Sequence, residues 1–181
     1  MSKFVKWVLL IWGGVSLAAC IAFGIFVVYH FNVVGPDKND LASPHDVRYV
    51  LDGCHLGGKQ IEQVVHSHIS SRGFTGDYLD AFAFKISHVD DADFNPKPDT
   101  PNSHWFRGDQ LPPVLDAAVK LVTECHNMIP WFPTGEELRS SDVHVYPMDF
   151  YGCCGNVEPT MARLVFVRGT DNMVFYFDFK P

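Results

Sequence analysis

The sequence lacks the short motifs that mark the common catalytic and cofactor-binding sites. Its 181 residues contain no G-x-S-x-G nucleophile elbow, no phosphate-binding loop, no dinucleotide-binding G-x-G-x-x-G and no metal-binding H-E-x-x-H. Internal repeats and low-complexity tracts are also missing. We therefore assign no catalytic residue, no cofactor and no metal ion, and we expect a non-enzymatic protein.

Positive charge is scarce, with 14 Lys and Arg residues against 21 Asp and Glu residues. Lys3 and Lys6 precede the first acidic residue, Asp37, so the rest of the chain holds 12 basic and 21 acidic residues, a net charge of −9. An acidic surface repels nucleic acid and anionic lipid headgroups. The charge argues against a nucleic acid partner and favours a protein partner with a basic surface.

Charged residues are missing from Trp7 to Tyr29, a run of 23 residues. At about 1.5 Å per residue a helix of this length reaches about 34 Å, enough to cross a hydrocarbon layer of about 30 Å. Lys3 and Lys6 just before the run predict a cytoplasmic N-terminus by the positive-inside rule. Residues 1–31 are therefore expected to be a single-pass anchor in the inner, or plasma, membrane, with the following domain periplasmic or extracellular.

Two other interpretations of this segment stay open. A cleaved signal sequence has an apolar region of about 7–15 residues, which is shorter than this run. The stretch Leu17-Ala18-Ala19-Cys20 resembles a bacterial lipoprotein signal, in which Cys20 would carry the lipid. However, the apolar run continues to Val28, whereas the mature start of a lipoprotein is usually polar. All three interpretations place the domain in the same compartment.

Four cysteines lie outside the hydrophobic run: Cys54, Cys125, Cys153 and Cys154. An even number in an oxidising compartment predicts two disulfides. A bond between the adjacent Cys153 and Cys154 would close a strained ring, so we expect each of them to pair with one of the other two. The connectivity stays open. No C-x-x-C pair supports a metal or redox site instead.

Apolar periodicity predicts an α+β domain over residues 43–181, joined to the anchor by a polar tether at residues 32–42. The predicted elements are helices at residues 59–71 and 111–128 and strands at residues 78–88, 143–150, 161–168 and 173–180. The clustered C-terminal strands indicate a mostly antiparallel sheet, and two amphipathic helices can cover one face of it.

Three local patterns refine this prediction. Residues 47–56 fit either a short helix that begins after Ser43-Pro44 or a strand. Pro147 indicates that its strand lies at an edge or contains a bulge. Within the helix predicted for residues 59–71, the apolar positions follow the i, i+3, i+4, i+7, i+8 spacing of one helix face. These positions are Ile61, Val64, Val65, His68 and Ile69.

Aromatic, arginine and acidic side chains cluster at two places in the chain. Trp and Arg are favoured anchors in protein interfaces, so these clusters are candidates for a partner-binding surface. The candidates are Asp90, Asp91, Asp93, Trp105, Phe106, Arg107, Trp131 and Phe132. The alternative is that Trp105 and Trp131 simply cover the core of the sheet.

The histidines form no recognisable site. On a helix, His66 and His68 would point about 200° apart and could not bind one metal ion; they would matter only on a strand. His55 and His126 each follow a cysteine, but a Cys–His nucleophile needs a free thiolate, which a disulfide removes. The acids after His88 lack the regular spacing and the glycine turn of a calcium loop.

The expected function is protein binding at the outer surface of a membrane. One version is an immunity protein that neutralises an envelope-targeting toxin. This hypothesis rests on general properties that the domain shares with such proteins and not on a shared motif. A first alternative is an accessory or sensory subunit of an envelope complex, in which Gly13, Gly14 and Gly24 would pack against another helix. A second alternative is an enzyme with an unrecognised active site.

Overall fold

The computed structural model describes residues 3–33, 41–72, 76–95, 104–152 and 159–181. The chain divides into two compact units, Met1–Pro36 and Asp37–Pro181. The first unit holds the hydrophobic run, and the second holds every strand of the described residues. Most of the predicted tether lies outside the described residues.

The first unit is a single helix, α1, which runs from Lys3 to Val33. Within its segment Lys3–Tyr29, an 18-residue window reaches a mean hydropathy of 2.3, and the segment is long and apolar enough to cross a membrane. Helix α1 is therefore a candidate membrane-spanning helix, as predicted. A signal sequence has the same properties, so retention of the helix stays a prediction, as does lipidation of Cys20, which lies in its middle.

The second unit is built on one six-stranded antiparallel sheet with the order β1-β2-β6-β5-β4-β3. The strands are β1 (Ile61–Ile69), β2 (Tyr78–Ile86), β3 (Phe106–Arg107), β4 (Val143–Gly152), β5 (Pro159–Arg168) and β6 (Met173–Lys180). The helices are α2 (Arg48–Gly53), α3 (Pro113–Glu124) and α4 (Gly135–Leu138), with 3-10 helices at Asp91–Phe94 and Gly108–Gln110. The structure confirms the predicted α+β class.

Hydrophobic clusters cover both faces of this sheet. Successive side chains of a strand point to opposite faces. In β2, Phe82 and Phe84 therefore lie in one cluster, whereas Ala81 and Ala83 lie in the other. A sheet that is apolar on both faces needs a covering layer on each side.

Helix α3 covers the face that carries Ala81 and Ala83. Its buried side chains are Leu115, Ala118, Val119 and Val122. Together with Cys125, which follows the helix and is also buried, they form one apolar stripe, as expected of the amphipathic helix predicted for residues 111–128. Residues 129–132 and helix α4 extend this layer through buried Ile129, Phe132 and Leu138.

Helix α2 covers the opposite face. Val50 and Leu51 of this helix are buried in the cluster that contains Phe82 and Phe84. Of the two predictions for residues 47–56, the helix is therefore correct. The expectation that two helices lie on the same face is wrong, because each apolar face of the sheet requires its own cover.

The helix predicted for residues 59–71 is also wrong, since Ile61–Ile69 form strand β1. The pairing of β1 with β2 shifts register after Ile61 and again after Val64. A β-bulge inserts one extra residue, so residues on the same face come three apart instead of two at these points. Ile61, Val64 and Ser67 therefore lie on the same face of the strand. Their spacing of three residues is also found along one face of an α-helix.

The other predicted strands are confirmed with small changes at their ends. Strands β5 and β6 pair as an antiparallel hairpin, whose turn includes Asn172 in the left-handed region with φ 57°. Strand β4 shifts register between Pro147 and Asp149, which is the kind of irregularity that the proline predicted. The two-residue strand β3 was not predicted, because two residues carry no periodic signal.

Gly108 lies where the chain leaves β3 and passes the end of helix α4. A Cβ atom at this position would collide with the Leu138 carbonyl oxygen and would lie 2.6 Å from the Ser140 carbonyl oxygen. Both are backbone atoms, which cannot rotate away. We expect Gly108→Ala to lower the free energy of unfolding by about 1–3 kcal/mol, the usual cost of overpacking. Urea unfolding of the full-length protein in detergent measures this difference.

The matched control is Gly58→Ala. Gly58 is exposed, and no atom lies within 4 Å of its Cβ position. The free energy of unfolding should therefore stay the same or rise by up to about 1 kcal/mol. Equal stability of the two variants would show that the backbone at residues 138–140 yields, and would contradict this account of Gly108.

Candidate functional site

Three of the eight predicted partner-binding residues line one cavity. Asp91, Trp105 and Arg107 surround a partly open space of about 510 Å³. The other lining residues are Phe94, Asn95, Ser141 and His144. This cavity combines aromatic, charged and hydrogen-bonding side chains, and it is the candidate functional site.

The cavity lies beside the edge of the sheet that β3 forms. Arg107 of β3 is the Cα partner of His144 on β4, so strand pairing places these two residues side by side. Asp91 and Phe94 are the first and last residues of a 3-10 helix. Trp105 directly precedes β3. Regular secondary structure thus holds most of the lining residues.

Aromatic rings form the apolar part of the cavity. The Trp105 ring lies 5.1 Å from Phe94 and 5.1 Å from Tyr146, measured between centroids. The imidazole of His144 stacks flat on Phe94, with centroids 3.8 Å apart and 5° between the ring planes. Phe94 and Tyr146 are buried and support the half-buried Trp105. Trp105 therefore packs against the core and also lines the cavity.

Carboxylates outnumber cations around His144. The charges that act on this histidine belong to Asp91, Arg107, Asp109 and Asp142. Burial lowers the pKa of His144, so its ring is neutral at pH 7. Among the described residues, His144 Nδ1 is the single buried side-chain nitrogen or oxygen without a hydrogen-bond partner.

Asp90 and Asp93 shape the turn next to the cavity and do not line it. A capping box joins the side chain of each to the backbone N–H of the other. Asp93 also pairs with Lys59 at 2.6 Å, and His88 Nε2 lies 2.8 Å from Asp90 Oδ1. The His88 and Asp90 side chains are 74% and 68% exposed, so this pair does not form a buried acid–base site.

The other three candidates pack against the opposite face of the sheet. Phe132 is only 3% exposed and contacts three core phenylalanines, so it is a core residue and not an exposed anchor. Phe106 is half-buried against the same cluster. Trp131 packs on this cluster and stacks on His66 with centroids 5.0 Å apart. The two predicted tryptophan sites are therefore separate.

His66 and His68 lie on strand β1, where residues two apart share a face. His66 is exposed and His68 is buried. Across the described ranges, no group of three or more His, Cys, Asp or Glu side chains could hold a metal ion. The two histidines alone give no metal site.

The predicted disulfide partners Cys54 and Cys125 are both buried, on opposite faces of the sheet. They therefore cannot pair with each other. No disulfide joins cysteines of the described residues, and Cys153 and Cys154 lie outside them. Burial raises the pKa of the Cys125 thiol, which disfavours the thiolate that a nucleophile needs.

A second polar cluster, which the sequence did not predict, crosses three strands. Asp80 of β2 and Asp178 of β6 are Cα partners and are 8% and 5% exposed. Arg72 donates to both carboxylate oxygens of Asp80, at 3.0 and 2.6 Å. The Arg163 guanidinium and the Tyr176 hydroxyl each donate to Asp178 at 2.9 Å. Each buried carboxylate therefore has a cationic partner.

This cluster is best explained as structural. Buried charges persist when they are paired and hydrogen-bonded, as these are. Both oxygens of Asp178 accept hydrogen bonds, because Tyr78 donates to the second one at 3.1 Å. A general acid or base needs an oxygen that can reach a ligand. The signal in the sequence was a lone aspartate in each of two apolar strands.

Comparison of the chain with protein-family profiles, with curated protein sequences and with solved structures finds no match. The site is therefore interpreted from its geometry and chemistry.

The pH dependence of stability tests the buried Asp80. Burial outweighs the hydrogen bonds from Arg72 and raises the pKa of Asp80. In the unfolded chain the carboxyl group of an Asp has a pKa of about 3.9. Above this pH the folded state, with its raised pKa, still holds a proton that the unfolded state has lost. The free energy of unfolding therefore falls as the pH rises through the raised pKa. The unfolding free energy of Asp80→Asn minus that of the wild type should therefore increase from about pH 4 to about pH 7.

Asp46→Asn is the control for this measurement, which uses urea unfolding at several pH values. Hydrogen bonds from Ser43 lower the pKa of Asp46, so this carboxylate is ionised in both the folded and unfolded states above about pH 5. Its difference from the wild type should stay flat over that range. A flat profile for Asp80→Asn as well would contradict the raised pKa.

Thiol labelling tests the disulfide prediction. Protein isolated from the extracytoplasmic compartment, unfolded without reductant and treated with a maleimide, should remain unlabelled at Cys54 and Cys125. Reduction should expose both to labelling, as should production in a reducing cytoplasm. Peptide mass spectrometry locates the label. Labelling of either residue before reduction would contradict the predicted disulfides.

Proposed function

We propose that this protein is a membrane-anchored, extracytoplasmic domain that binds a protein partner through the cavity at Asp91, Trp105 and Arg107. The observation that supports the proposal is the convergence of these three side chains in one cavity. Trp and Arg supply much of the binding energy at protein interfaces. A cavity of this size accepts a side chain or a short segment of a partner.

The sheet edge beside the cavity favours recognition through side chains over the addition of a strand. Strand β3 pairs with His144 and Val145, and β4 continues beyond it to Gly152. Pro147 has no backbone N–H, and β4 shifts register next to it. Both features discourage pairing with a straight incoming strand.

The N-terminal helix supports the extracytoplasmic location of the domain in this proposal. Helix α1 is a candidate membrane-spanning helix, and Lys3 and Lys6 at its start favour a cytoplasmic N-terminus. The acidic domain would then face the periplasm or the cell exterior from the inner membrane. A small acidic domain in this place suits an immunity protein that neutralises an envelope-targeting toxin.

A surface of helix α1 favours a second candidate function, an accessory or sensory subunit of an envelope complex. Leu10, Gly13, Gly14 and Leu17 line a shallow groove on this helix. Glycines without side chains let another helix approach closely. In this alternative the anchor itself carries a contact with the complex, whereas the immunity function needs the anchor only to hold the domain at the membrane.

Binding to the product of a neighbouring gene tests the leading proposal. Trp105→Ala should raise the dissociation constant at least about thirtyfold, because truncation of a central aromatic anchor typically costs about 2 kcal/mol or more. Calorimetry with the full-length protein in detergent measures the change. Trp105→Phe, which keeps the packing against Phe94 and Tyr146, should give a smaller loss.

Trp131→Ala is the matched control, since Trp131 is also half-buried but lies against the opposite face. It should bind as the wild type does, and an equal loss in both variants would contradict the cavity as the binding surface.

Exchange of helix α1 for an unrelated single-span helix separates the two functions. Protection of cells from the toxin should survive this exchange, whereas the activity of an accessory subunit should not.

A further inference from the structure

The charges around the cavity favour a cationic ligand. The one guanidinium in its lining, that of Arg107, donates to Asp109 at 2.9 Å, so its charge is locally offset. Asp142 adds negative charge near His144. The carboxylate of Asp91 forms no ion pair with any residue of the described ranges. A cavity that carries this charge balance attracts cations.

The remaining lining groups also suit a cation that donates hydrogen bonds. The half-buried Trp105 ring offers the aromatic face that binds cations best. Asn95 and Ser141 also line the cavity, and the side chain of each contains an oxygen that can accept a hydrogen bond. The neutral His144 ring adds no positive charge that would repel a cation. An anion would satisfy none of these acceptors.

We infer that the cavity binds the guanidinium group of an arginine side chain on the surface of the partner. This inference rests on the proposed function and adds the chemistry of the residue that is recognised. A guanidinium is planar, stacks on an indole ring and donates five N–H groups in a fixed fork, which suits the Trp105 ring and the Asp91 carboxylate. The net charge of −9 beyond Lys6 also attracts a basic partner.

The probe for this inference is N-acetyl-arginine methylamide, titrated into the full-length protein in an uncharged detergent at low salt. Fluorotryptophan labelling gives one fluorine NMR signal for each of Trp7, Trp12, Trp105 and Trp131, and Trp105→Phe assigns the relevant signal. The expected result is a saturable shift of the Trp105 signal without a shift at Trp131. A titration that does not saturate, or that moves all four signals equally, would overturn the inference.

Charge variants sharpen the test. Asp91→Asn should weaken binding of the arginine probe about fivefold, the upper range for one exposed ion pair. Glu124→Gln removes the same charge from the last residue of α3, on the opposite side of the sheet, and should leave the affinity unchanged. Equal weakening by both variants would mean that only net charge matters. Saturable binding of N-acetyl-aspartate methylamide, which would use Arg107, would also overturn the inference.

The two proposals fail in distinguishable ways. If the arginine probe does not bind but Trp105→Ala still weakens the complex with the partner, the cavity recognises a different side chain, and only the arginine inference is overturned. If Trp105→Ala leaves the complex intact, the cavity is not the partner-binding surface, and the proposed function is overturned in its present form.

Discussion

The central strands of the sheet are apolar on both faces, and this double burial governs the rest of the domain. Adjacent residues Ala83 and Phe84 of β2 are both fully buried, in different clusters. A half-exposed antiparallel sheet would instead alternate apolar and polar side chains. Helix α3 therefore covers one face and helix α2 the other. Phe94 and Trp105 belong to this second layer, and the candidate cavity lies beside them.

Elements whose apolar residues follow an uninterrupted periodicity were predictable from the sequence. Helix α3 and the hairpin of β5 and β6 follow their patterns closely, and Pro147 correctly indicated an irregular β4. Strand β1 was mistaken for a helix because its two register shifts place Ile61, Val64 and Ser67, which are three residues apart, on the same face. The spacing of apolar residues along the chain cannot distinguish a bulged strand from a short amphipathic helix. The strand with which the segment pairs decides between the two.

The candidate site was predictable in part. Asp91, Trp105 and Arg107 have the side chains expected of an interface, and the sequence brings them close enough to suggest a common surface. His144 joins them only because β3 and β4 pair in a register that sets Arg107 beside it. The Asp80–Asp178 pair depends in the same way on the register of β2 and β6. Contacts between strands distant in sequence have no signature in a single sequence.

The irregular sheet edges have a consequence for how copies of this domain behave when crowded. A straight, unpaired edge strand is a template for aggregation and domain swapping. Strand β1 interrupts its edge with two register shifts, and β4 does so with Pro147 and a shift of its own beyond the short β3. In the part of the sheet that the structure describes, neighbouring molecules therefore meet no long regular edge with which they could pair. Resistance to intermolecular sheet formation is built into the backbone and does not depend on charge repulsion alone.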